Sequence, residues 1–240
     1  MEDLNKYIRW NNDEDYNNSI KFLSELAIPE KWNFGNESDN RILKEYLNHT
    51  INKLRDNKNC FLKLKDKIVF NTGLETVYFD PIYLFARWDE ELGRWKYAGF
   101  MTECDLCDMG IYALPQRPDY FADPSLLVFD VRSKINFNIR EILESVACHK
   151  TVPDNIVHGA IETSICQAKY NFNYAVPCYY SYKIHVLLPL YLENSDQPSV
   201  ALSLYKMPGG YYQACRCLSL EDAYIYARLI AKPESDWLIP

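Results

Sequence analysis

Histidine and glycine are scarce in this chain, four and eight of 240 residues. With so little glycine there is no glycine-rich loop of the kind that cradles phosphates with backbone N–H groups. The four histidines, His49, His149, His158 and His185, stand in no metal-ligand spacing such as HExxH. Neither a GxSxG elbow nor a DxD-type acidic pair stands out. Asp119, Asp123 and Asp130 are neighbours in sequence, but nothing in their spacing proposes metal-dependent chemistry. Apolar runs are short as well. The strongest, Ile184 to Leu192, falls far below the ~20 residues that a membrane-spanning helix needs. The first residues, MEDLNKYIRWNNDEDYNN, are acidic and amide-rich with no apolar core, which excludes a signal peptide and sets the expectation of a cytoplasmic protein without a membrane partner. In that compartment the glycosylation-type triplets at Asn17, Asn36 and Asn48 carry no meaning. Positive charge is also in deficit. At a net charge of -7 the molecule as a whole repels polyanions, so any nucleic-acid site must be a local basic patch.

Apolar residues make up 48% of the chain, enough for a sizeable core and against disorder. Eight cysteines are present. Cys104 and Cys107 form CDLC, and Cys215 and Cys217 form CRC, so two pairs can be drawn into a four-thiolate zinc site. CDLC lacks the glycine and basic residues that shape a zinc knuckle, and strand alternation points Cys215 and Cys217 to one face like any small buried residue. The expectation is structural thiols, no metal and no cofactor, without disulfides in a reducing compartment.

Helical periodicity appears first. Ile20, Leu23 and Ala27 share a side of a helix over Asn17 to Ala27, capped by Asn18 or Ser19 and stopped before Pro29. Leu43, Tyr46, Leu47, Ile51 and Leu54 define a second helix after Ser38-Asp39. From Cys60 the period becomes two. CFLKLKDKIVFNTGL reads as a hairpin about Lys65-Asp66-Lys67, and Val77 to Trp88 and Trp95 to Phe100 as strands around DEELGR. Cys104 to Pro124, with three prolines and several aromatics, reads as an ordered loop. Beyond it come a strand at Leu126 to Asp130 and helices from Ile135 to Glu144 and Asp154 to Asn171. A long strand follows from Ile184 to Leu192, then a hairpin, and a last helix opened by the capping pattern Ser219 to Asp222. The expected fold is α+β, a mainly antiparallel sheet flanked by helices. An N-terminal helical segment, residues 1–58, packs on an α+β domain of residues 59–240.

Several stretches resemble one family. They are FNTGL (Phe70 to Leu74), PIYLFAR (Pro81 to Arg87), RPDYFADPSLLVFD (Arg117 to Asp130), GAIE (Gly159 to Glu162), AVPCYYSYKIHVLLPLYL (Ala175 to Leu192) and LSLEDAYIYARLIAKPESDWL (Leu218 to Leu238). Together they resemble an uncharacterised, mainly bacterial domain-of-unknown-function family found beside LOTUS (OST-HTH) and other RNA-binding modules. Coverage runs from about Cys60 to the C-terminus. The resemblance implies an association with RNA, through the company the family keeps. Here no LOTUS module is present, and SLYKMPGGYYQACRC replaces the family's valine- and arginine-rich hairpin.

Three constellations can carry chemistry. In SYKIHVLLPL, alternation puts Lys183 and His185 on one strand face, and Arg216 in the hairpin and Arg228 in the last helix can converge on them. Such a group binds phosphate, and His185 can move protons. Against this stands the plainer reading of an edge-strand lysine, a satisfied histidine, and Arg228 paired to a carboxylate. Asn71 and Thr72, before Gly73, can form a turn facing an anion or ribose, against the plain reading of a strand-ending turn. Tyrosine is abundant, 19 residues, and Tyr212 near Arg216 can stack a base, although tyrosine also covers half-buried sheets. The leading expectation is binding of single-stranded RNA or a nucleotide by Lys183, His185, Tyr212, Arg216, Arg228, Asn71 and Thr72. An enzyme acting on RNA ends or a small nucleotide with His185 as acid or base is the second, and a protein-binding adaptor the third.

Overall fold

The computed structural model describes residues 4–35, 38–56, 61–121, 123–147 and 152–240. Two compact units, Met1–Asp119 and Tyr120–Pro240, divide the chain. The boundary expected between residues 58 and 59 lies outside the described residues, as do His149 and the cysteines at 60 and 148.

In the first unit the strand order is β1-β5-β4-β3-β2, with β1 (Ile8–Arg9), β2 (Phe61–Leu64), β3 (Lys67–Glu75), β4 (Pro81–Asp89) and β5 (Arg94–Met101). Only β1 runs parallel to its neighbour, β5. Helix α1 (Asp13–Leu26) packs on β5 and α2 (Arg41–Asp56) on β3. The first helix starts four residues before the expected Asn17. Asn12 caps it by accepting from the Asp15 N–H, and Asp13, Glu14 and Asp15 then complement the positive end of the helix dipole. The predicted stripe of α2 is buried as expected: Leu43, Tyr46, Leu47, Ile51 and Leu54 are each at most 3% exposed.

Strand β4 begins at Pro81 rather than Val77. Thr76 explains this, because its Oγ1 accepts from the Tyr78 and Asp80 N–H groups and ties residues 76–80 into a turn. The region expected as a loop from Cys104 contains a short helix, α3 (Glu103–Asp108), opened by a reciprocal Thr102–Asp105 capping box. Leu106 and Ile111 from this region join Val69, Tyr83 and Phe85 in a small core.

The second unit carries the order β6-β10-β9-β8-β7. Its elements are β6 (Ile135–Asn136), α4 (Ile139–Ala147), α5 (Asp154–Tyr170), β7 (Val176–Tyr180), β8 (Lys183–Leu190), β9 (Val200–Lys206), β10 (Tyr212–Leu218) and α6 (Leu220–Arg228). All pairings except β6 with β10 are antiparallel. Helix α5 packs on β8 and α4 on β10, and α6 packs against β7, β9 and β10. Ile142, Val146, Val157 and Ile161 from α4 and α5 meet Val186, Leu188, Leu202 and Leu204 in the main core. Strand alternation therefore sends Lys183, His185, Ser203 and Tyr205 to the opposite face.

Two further stretches depart from their local pattern. Residues 124–127 form a 3-10 turn instead of a strand, since Asp123 caps the Ser125 N–H and Pro124 stands at its first position. Ile135 and Asn136 belong to β6, and the helix starts only after Asn138 accepts from the Arg140 N–H. The last helix opens as expected: Ser219 Oγ accepts from the Asp222 N–H at 3.1 Å and donates to the Asp222 carboxylate at 2.9 Å. Fold class is thus α+β, built from two five-stranded, mainly antiparallel sheets and, among the described residues, six α-helices.

Candidate functional site on the second sheet

His185 lies mid-sheet, paired in register with Cys178 of β7 and Tyr205 of β9. It is buried, 5% exposed, and its Nδ1 shares a hydrogen bond of 2.8 Å with Ser203 Oγ. Aromatic rings wall it on both sides. Tyr180 meets it edge-on at 5.4 Å between centroids, and Tyr205 lies at 5.3 Å. Burial, and then the charge of Lys183, lower its pKa to about 4. At neutral pH the ring is uncharged.

Two cations surround this buried group, and both are exposed. Lys183 Nζ lies 4.6 Å from the centroid of the Tyr205 ring. Arg216 starts on β10 and reaches across β9 and β8 to donate from Nη1 to the Tyr180 hydroxyl on β7 at 3.3 Å. Tyr180 also packs on Tyr226 of α6, with centroids 5.0 Å apart. Among the described residues neither Lys183 nor Arg216 pairs with a carboxylate. The plainer expectation of an edge-strand lysine does not hold, because β8 lies between β7 and β9. Tyr182, 78% exposed, stands beside Lys183 in the β7–β8 turn. There both Ser181 and Tyr182 hold positive φ, 50° and 64°, the conformation a tight hairpin turn requires and glycine or asparagine usually supplies.

The other predicted residues are placed differently. Tyr212 is 1% exposed, and its hydroxyl accepts from the Asp130 N–H at 3.0 Å while its ring packs on Phe129. It belongs to the core on the α4–α5 side, so the face bearing Lys183 draws its tyrosines from positions 180 and 205 instead, with Tyr182 in the adjoining turn. Arg228 sits half-buried in the last turn of α6.

Asn71 and Thr72 lie in the first unit, both buried. Asn71 donates to the Pro115 carbonyl and accepts from the Gly73 N–H. Thr72 donates to the Ile82 carbonyl at 2.6 Å and accepts from the Leu74 N–H, and its own carbonyl accepts from the Tyr46 hydroxyl. Their side chains hold an irregularity inside β3, where the pairing with β4 shifts between Asn71 and Glu75, rather than the strand-ending turn expected.

Cys104 is exposed and Cys107 half-buried on α3, in the first unit. In the second unit a bulge between Ala214 and Arg216 breaks the alternation assumed for Cys215 and Cys217. Ala214 and Cys217, three apart, both enter the core. Among the described residues no three His, Cys, Asp or Glu side chains form a metal-sized group. No described helix is long and apolar enough to cross a membrane.

Residues 23–237 match the model of a protein family described as a domain of unknown function, DUF3825. The match begins well before Cys60, taking in α2 and the last turn of α1. No curated protein and no solved structure matches the chain.

Proposed function

Because the chain belongs to the DUF3825 family, whose description assigns no activity, we propose from its own residues that the second sheet binds single-stranded RNA or a nucleotide. Lys183 and Arg216 hold the phosphate, and Tyr182 and Tyr205 offer ring faces to the base. One observation carries this reading: two exposed cations, braced by tyrosines and free of carboxylate partners among the described residues. Many described cations lack a carboxylate, and what distinguishes these two is that both lean on tyrosines flanking His185. Cations that rest on tyrosines leave their charge open to an anion, and guanidinium geometry suits phosphate. Stacking on an aromatic ring is sequence-tolerant, which fits a single-strand ligand better than a duplex. The RNA association implied by the family resemblance points the same way.

The acid-base reading for His185 has less support. A ring that is buried, neutral and already bonded to Ser203 meets no ligand in this conformation.

Fluorescence anisotropy with single-stranded and duplex RNA tests the proposal. Single strands should bind more tightly, and Arg216→Ala or Lys183→Ala should each weaken binding by roughly tenfold, the loss of one charge-assisted contact. Equal affinity in wild type and both variants would exclude this face.

A further inference from the structure

The Arg216–Tyr180 contact joins β10 and β7, the strands on either side of those that carry the His185–Ser203 pair. Tyr180 touches three groups at once: the His185 ring edge-on, the Tyr226 ring on α6, and the guanidinium of Arg216 through its hydroxyl. The bond to Arg216 spans three strand intervals and joins an exposed cation to a half-buried ring. It is also the contact that a phosphate competes for, since a dianion offers the guanidinium a stronger acceptor than a phenol oxygen. Beneath Tyr180 the floor is polar and the walls are aromatic. Ser203 is fully buried and His185 nearly so, and Tyr205 closes the other side. These groups pack on one another with the Arg216–Tyr180 contact closed, and a polar floor between aromatic rings, once Tyr180 swings away, suits a planar heteroaromatic ring that hydrogen-bonds at its edge.

We propose that Tyr180 is a lid latched by Arg216, and that a nucleotide phosphate releases the latch so that the base enters beneath Tyr180 and is read by His185. This rests on the phosphate-binding reading above and assigns His185 a part in base recognition. With Nδ1 committed to Ser203, Nε2 is the nitrogen left to face the base, and it is donor or acceptor according to which partner of the Ser203 bond carries the proton. Other ionisable groups on this face are Lys183 on β8, Cys178 on β7, Tyr205 on β9, Arg216 on β10 and Tyr226 on α6.

Carbethoxylation of histidine, read by peptide mass spectrometry, tests the lid. His158, exposed on the outer side of α5, serves as the internal reference. In the ligand-free protein His185 should react far more slowly than His158. Tyr180→Phe keeps the ring but removes the latch, and should raise the His185 rate by roughly fivefold, the loss of one hydrogen bond; Arg216→Ala should do the same. Ribose 5-phosphate, which has no base, should raise the rate in wild type, whereas uridine 5′-monophosphate should leave His185 covered. Unchanged protection in both variants would overturn the latch. Equal effects of the two ligands, with binding of each established by calorimetry, would overturn base entry. If neither ligand binds, the phosphate reading fails, and the variants still decide the latch.

Discussion

His185 on β8 and Ser203 on β9 share a 2.8 Å hydrogen bond in a part of the sheet that is shut off from water and otherwise aromatic. The pair sets a pH dependence. In the unfolded chain the imidazole titrates near its ordinary 6.5, and in the fold it titrates near 4. Between these values the unfolded state holds more protons, so stability rises with pH across the window. The His185 contribution is complete above about pH 6.5 and is lost progressively toward pH 4. Its size is on the order of 3 kcal/mol. Chemical denaturation of wild type and His185→Gln at pH 7, 5.5 and 4.5 should show the variant with the shallower pH dependence.

The β7–β8 turn trades stability for an exposed ring. Tyr182 holds φ of 64° without being glycine, which costs about 1–2 kcal/mol. Tyr182→Gly should therefore raise Tm by roughly 2–8 °C while weakening single-stranded RNA binding through the lost stack. A variant that loses stability, or keeps full affinity, would show that the turn is not held for its side chain.

Gly73 is irreplaceable for two reasons. Its φ is +75°, and a Cβ there would stand 2.6 Å from the Tyr46 hydroxyl, which bonds the Thr72 carbonyl. Gly93 has φ of +60° but open space around it. Gly73→Ala should destabilise by about 3 kcal/mol or more and Gly93→Ala by about 1 kcal/mol, measured by urea unfolding.

Thiol reactivity should follow burial. Cys104 and Cys166 are exposed, whereas burial pushes the Cys178 thiol up and that of Cys217 up to about 11. Iodoacetamide on the native protein should label Cys104 and Cys166, with Cys178 and Cys217 labelled only after unfolding.

Local signals account for most of what could be read ahead of the structure. The α2 stripe, the β2–β3 hairpin and the Ser219 cap depend on residues within a few positions of one another, and each formed where the pattern placed it. The division into two sheets depends on pairings between distant strands and had no local mark. Tyr212 shows the limit most clearly. It alternates with Gln213, but which face of β10 enters the core is decided by α4 and by Phe129, neither of which its neighbours in sequence announce. Arg216 is marked in the sequence only by its charge and its place in the hairpin. Its partner Tyr180 is 36 residues away and three strands across the sheet, and the bulge beside it shifts the register on which any alternation argument relies.

The salt dependence of single-stranded RNA binding tests the central claim most directly. If Lys183 and Arg216 each neutralise a phosphate, the slope of log affinity against log salt should fall by about 1.4 between wild type and the Lys183→Ala/Arg216→Ala double variant. An unchanged slope, or an absence of RNA binding in the wild type, would contradict it.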